Sequence, residues 1–181
     1  MKWNGMRVAV LGGMTALACS GMAIAQGSRT FSSQDKMFLA KSAEGSMTEI
    51  KLSQMALTKS NSDDVKAYAQ KMIDDHNKLL SDMKPFADQA GVKPPSKLSP
   101  EHQMAAKKLS ALSGDAFDKQ YMMDMSKDHH KTLDLFKAEE SSTNNTDLKA
   151  AVSQGEQVVQ QHTDMADQMV QKQGGTPATG Y

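Results

Sequence analysis

Four stretches of this chain repeat their apolar residues every three to four positions, and no stretch alternates with period two. That pattern commits the chain to helices that each bury one face against the others. The first runs from about Ser33 to Lys59, with Phe38 or Leu39, Ala43, Met47, Ile50 and Leu57 on its stripe. Asn61-Ser62-Asp63-Asp64 then supplies cap chemistry and early negative charge for the second. Its stripe is Val65, Tyr68 or Ala69, Met72, His76, Leu79 or Leu80, and Met83. Pro85 is positioned to kink this helix and Gly91 to end it. A loop containing Pro94-Pro95 follows, and Ser99-Pro100-Glu101 opens a short helix that ends at Ser113-Gly114. The third long helix, from about Asp115 to Ser141, carries Phe117, Tyr121 or Met122, Met125, His129, Leu133 and Phe136. The last, from about Thr146 to Lys172, carries Leu148, Val152, Val158 or Val159, His162, Met165 or Ala166, and Met169. The expected fold is all-α: an up-and-down four-helix bundle over residues 33–172 with one short extra helix before the third long one. Residues 173–181 read as a flexible tail.

Composition supports this reading. Aromatic residues make up only 5% of the chain while methionine is common at 15 residues, which suits helix-on-helix packing better than a sheet. Basic and acidic side chains balance at 21 each and are interleaved, so the basic surplus of a nucleic-acid binder is missing. The N-terminus reads as an address. Lys2 and Arg7 precede an apolar run from Val8 to Ala18, and Ala23-Ile24-Ala25 forms a cleavage site before Gln26. Residues 1–26 are therefore expected to be a secretory signal, cleaved after Ala25, with a periplasmic or secreted product. The run is too short for a permanent anchor, so no transmembrane span is expected after processing. The rival address is a lipoprotein anchored at Cys19. Processing after Ala25 removes that only cysteine, so neither a disulfide nor a thiolate metal site is expected. A monomer is expected, and no protein partner is legible.

Three of the four stripes break their apolar pattern with a histidine. His76, His129 and His162 lie about 14–16 residues into their helices, a depth of roughly 21–24 Å. The first helix places Glu49 near its own midpoint, beside the small residues Ser42, Gly45 and Ser46. Antiparallel helices of similar length bring their midpoints into one layer, so Glu49, His76, His129 and His162 can converge there. Such a layer is either a metal site or a buried polar network in which Glu49 pairs with histidine. Met72, Met125 and Met165 share helix faces with the three histidines, and as soft ligands they would point to copper. Methionine also fills irregular cores. Asp118, Tyr121, Met125 and His129 fall on one face, with Tyr121 or a backbone amide the expected donor to Asp118. Asp75 flanks His76 and reads at most as an orienting residue. His102 and His130 read as solvated surface residues.

Met72-Ile73-Asp74-Asp75-His76 resembles the M-x-x-D-H signature of the bacterial domain of unknown function 4142 family. So does the run from Ser113 to Tyr121, followed eight residues later by His129, together with Glu49-Ile50 after Gly45 and His162 in the last helix. The resemblance spans about Asp35 to Met169 and implies an exported, ferritin-like four-helix domain. One departure is the missing proline shortly before the last histidine, where Gly155-Glu156-Gln157 stands. Ferritin-like topology does not by itself bring di-iron chemistry. Such centres draw Glu-x-x-His motifs from two helices, and the residues three before His76, His129 and His162 are Ile73, Ser126 and Val159.

Two functional readings follow. The chain is a non-catalytic helical module of the cell envelope, acting in stress or protein interaction, or it binds one copper or zinc ion through the central Glu/His cluster. No nucleophile motif or glycine-rich phosphate loop points to an enzyme.

Overall fold

The computed structural model describes residues 30–179, so the signal segment, its cleavage site and Cys19 lie outside the described residues. Five helices follow in order: α1 (Ser33–Lys59), α2 (Asp63–Ala90), α3 (Pro100–Ser110), α4 (Gly114–Ser142) and α5 (Thr146–Lys172). Strands are absent among the described residues. The expected all-α four-helix bundle is what forms.

Local chemistry sets the helix ends. Ser32 closes a capping box on α1: its Oγ accepts from the Asp35 N–H at 3.0 Å, and the Asp35 carboxylate accepts from the Ser32 N–H at 2.7 Å. Ser62, Ser99 and Asn145 cap α2, α3 and α5 in the same sense. Gly91 ends α2 at φ +70°, a left-handed conformation that costs glycine nothing. Helix α2 runs through Pro85 to reach it. The short helix stops at Ser110, three residues earlier than the sequence suggests. Ala111 tightens the last turn by donating back to Leu109 and Lys108, and Ser113-Gly114 belongs instead to the start of α4.

The direction of the helices departs from a simple up-and-down chain. The C-terminal half of α2 and the C-terminal half of α4 share one apolar cluster, with Leu79, Met83, Leu133 and Phe136. Their N-terminal halves share the other, with Val65, Tyr68, Phe117 and Tyr121. Helices α2 and α4 thus run the same way, and residues 91–113 cross the length of the bundle between them. Lys59 at the end of α1 clasps the far end of that crossover, donating to the carbonyls of Ser110 at 2.8 Å and Leu112 at 3.1 Å. This single long connection is the ferritin-like arrangement rather than the hairpin-linked one. The tail beyond α5 is tied back, with the Ala178 N–H donating to Ser126 Oγ at 3.0 Å.

One buried face is rotated from the expected stripe. On α1, the inward residues are Phe38, Leu39, Ser42, Ser46, Glu49, Leu52, Ser53 and Ala56, while Ala43, Met47, Ile50 and Leu57 are only half-buried. The inward serines are satisfied there: Ser46 meets the His76 ring, Ser53 the Tyr121 hydroxyl, and Ser42 donates to the Leu39 carbonyl. On α5, Val159 and Ala166 are the buried members of the two expected pairs, and Val170 is buried where the stripe predicts Met169. Gly155 lets this face come close. A Cβ built there would stand 2.5 Å from Phe136 Cε1 and 3.3 Å from Leu79 Cδ2, so α5 approaches its neighbours through a missing side chain.

Gly155→Ala should therefore destabilise the fold by about 1–3 kcal/mol, the usual cost of overpacking, despite alanine's better helix propensity. Leu133→Ala, which empties buried volume, should cost about 2–5 kcal/mol. Denaturant unfolding measures both. An unchanged or raised stability for Gly155→Ala would show that α5 can withdraw freely from Phe136.

Candidate metal centre

The two apolar clusters meet at a polar layer. His76 stands between Met72 and Leu79, His129 between Met125 and Leu133, and His162 between Val159 and Ala166. The three rings pack on one another with centroids 5.6 Å apart for His76–His129 and 5.2 Å for both His76–His162 and His129–His162. None is more than 3% exposed, so the layer is dry.

Each ring is held at one nitrogen only. The backbone carbonyl of Met125 accepts from His129 Nδ1 at 2.9 Å, the preceding turn of α4 acting as its anchor. The Asp75 carboxylate accepts from His162 Nε2 at 2.8 Å, and Lys71 grips the same carboxylate oxygen at 2.7 Å. His76 Nδ1 pairs with Ser46 Oγ of α1 at 3.2 Å. The opposite nitrogens, His76 Nε2, His129 Nε2 and His162 Nδ1, are buried without a hydrogen-bond partner. One ligand nitrogen from each residue lies within 4.8 Å of those of the other two. The Met125 carbonyl and the Asp75 carboxylate can only accept, which fixes the tautomers of His129 and His162 and leaves a lone pair on their opposite nitrogens. This is the arrangement metal-binding histidines use. The Ser46 hydroxyl can donate to His76 or accept from it.

Burial keeps these rings neutral. It depresses all three pKa values below the usual imidazole value of 6.5, with neighbouring imidazoles adding to the effect at His76 and His129. His129 falls to about 3. At His162 the Asp75 carboxylate opposes the fall without reversing it. Neutral imidazole is the form that ligates.

The fourth member of the expected layer is displaced. Glu49 is buried, but Glu49 Oε1 stands 3.6 Å from His129 Nδ1, on the ring's outer edge, and is not in the three-histidine group. At that separation the contact is too long for a hydrogen bond. Burial, with the nearby Asp128 charge, pushes its carboxyl well above the ordinary range. On α1, Ser46 meets the His76 ring of α2, while Glu49, three residues on, lies against the His129 ring of α4.

Other expectations shift in the same way. Asp75 orients His162 on α5 rather than its sequence neighbour His76. Tyr121 pairs with Ser53 Oγ at 2.8 Å and not with Asp118, whose Oδ1 is buried without a partner. Met72 and Met125 pack into the apolar cluster on one side of the layer, and Met165 is half-buried against it. His102 and His130 are half-buried and paired with Glu44 and Asp167, each at 2.9 Å, rather than solvated. Ser46 and the Met125 carbonyl carried no signal in the sequence, because neither the order of helices around the bundle nor a main-chain acceptor shows in a residue pattern.

The layer fixes a pH dependence. Below pH 6.5 the unfolded chain binds protons that the folded rings refuse, so stability rises with pH in this range. It is complete above about 6.5 and is lost as pH falls towards the depressed folded values. Each histidine adds up to about 1.4 kcal/mol per pH unit. The raised Glu49 and Glu139 carboxyls act in the opposite direction, so the histidine share is read as the difference between the protein and His129→Gln in thermal melts from pH 7 to pH 4. The unaltered protein should lose more stability on acidification than the variant, and identical pH profiles would mean that the folded His129 ring does not refuse its proton.

A crystal structure of a DUF305 fragment from Deinococcus radiodurans superposes with a TM-score of 0.60, covering 80% of this chain and 95% of that one at 14% identity. At that identity the likeness shows a shared fold alone. No curated protein matches the sequence. Residues 21–169 match the sequence model of the domain of unknown function DUF4142, and the chain belongs to that family.

Proposed function

We propose that this chain is an exported helical-bundle protein that holds one transition metal ion, zinc or copper, between His76, His129 and His162. The observation that carries this reading is the gathering of three buried histidines whose ligand atoms lie within 4.8 Å of one another, each ring meeting an oxygen at one nitrogen and keeping the other buried without a partner. A purely structural network would be expected to use those nitrogens, since a buried unsatisfied acceptor costs about 1–3 kcal/mol. Three neutral imidazoles suit zinc or copper, whereas calcium and magnesium prefer oxygen cages. Tetrahedral coordination at about 2.0–2.1 Å sets the nitrogens roughly 3.3 Å apart, so the rings close by at most about 1.5 Å. Nothing in the donor set matches a di-iron centre, as the spacing around the three histidines already indicated.

Export rests on the basic, apolar and A-x-A segments of residues 1–26. Among the described residues, no helix is long and apolar enough to cross a membrane. The intact mass of the exported protein should match a chain beginning at Gln26. A lipid-modified Cys19 on a membrane-bound protein would replace that assignment.

Metal binding is tested by melting chelator-treated protein with and without added zinc or copper. An ion bound only by the fold adds RT ln(1 + [L]/Kd), about 2.7 kcal/mol at a hundredfold excess over Kd. The gain should disappear in His129→Ala and in His162→Asn. If added metal leaves the melting temperature unchanged, the layer is a polar network and the role is that of a non-catalytic envelope or interaction module.

A further inference from the structure

The structure has a polar cleft of about 540 Å³ between α1, the start of α3 and α4. Its rim acids have partners. Glu44 is 2.9 Å from His102 Nδ1, and Glu101 is 3.3 Å from Lys131 Nζ. The inner end is different. There the cleft is lined by the Glu49 and Asp128 carboxyls. Glu49 is 4% exposed and its Oε2 has no hydrogen-bond partner. Its other oxygen stands 3.6 Å from His129 Nδ1, so the His129 ring lies between this carboxyl and the unpartnered His129 Nε2. A buried carboxyl oxygen without a partner, beside a second carboxyl in the same cleft, offers an entering cation two hard oxygen donors.

We infer that this cleft is the port through which a divalent cation reaches the three-histidine layer, with Asp128 and Glu49 as successive carboxylate stations and the His129 ring as the last barrier. The inference rests on the metal reading above. The cleft carboxylates are not gathered tightly enough to form a holding site of their own, since the three histidines are the one group of convergent ligands among the described residues. A port needs that property: it attracts the ion without trapping it. The other polar hollow near the layer, beside Asp75 and Asp82, ends at a carboxylate already held by both His162 and Lys71.

The test is stopped-flow loading of the chelator-treated full exported chain with cobalt(II), read by its visible absorption in a nitrogen-ligand site. Glu49→Gln and Asp128→Asn should each slow loading by roughly tenfold, within the range that local charge contributes to association rates. Dissociation into a chelator should slow in step, because a port lowers the barrier in both directions. Asp82→Asn, on an exposed ion pair with Lys78 away from the cleft, should load like the unaltered protein. Loading of both cleft variants at the unaltered rate would overturn the port while leaving the metal site standing. Weaker binding of cobalt by Glu49→Gln at an unchanged loading rate would also overturn it, making Glu49 a ligand instead. If the unaltered protein binds no cobalt, zinc or copper, the metal reading fails and the port fails with it.

Discussion

Three imidazoles removed from water at mid-height are the constraint around which this bundle is arranged. A buried neutral imidazole needs hydrogen-bonding partners, and the fold provides three different ones: a serine hydroxyl, a main-chain carbonyl and a carboxylate. Meeting those needs explains features that a plain apolar core would not contain. Helix α1 points serines inward, and Asp75 is pinned between Lys71 and His162. The apolar residues are left as two separate clusters above and below the layer. Each cluster has its own aromatic contact: the Phe38–Phe136 edge-to-face pair in one and the stacked Phe117–Tyr121 pair in the other.

Much of this was legible in the sequence, and the residues show why. Caps and breakers act locally, so Ser62, Ser99, Asn145 and Gly91 announce the ends they make. The stripes of α2 and α4 are strongly apolar and were read in register, including the depths of His76 and His129. Helix α1 was misread because its buried face is largely polar, and periodicity of hydrophobic residues followed its half-buried flank of Ala43, Met47 and Ile50. On α5, Val158 and Val159 are equivalent to a pattern. Only the contact of Gly155 with Phe136 chooses between them.

The site was half legible for a related reason. Depth along a helix follows from residue counting, which is why three histidines could be assigned to one layer. Direction around the bundle depends on which helices are neighbours, and residue counting is blind to that. Glu49 reached the right height but the outer edge of the His129 ring. Asp75 found its partner on α5, a helix whose adjacency to α2 exists only once the chain between α2 and α4 has crossed the bundle.

That crossover divides the molecule into two helical hairpins, α1–α2 and α4–α5, each closed by a short turn and joined by residues 91–113. One ring nitrogen of the layer comes from the first hairpin and two from the second. The tether's contribution is concentration: it holds the halves together at an effective molarity that free fragments would have to match in solution. Neither hairpin alone can assemble the three-histidine group, so the group forms with the docking step and not before it. An ion that favours the assembled group would then act as a clasp between two halves, drawing its binding strength from the same event that brings them together.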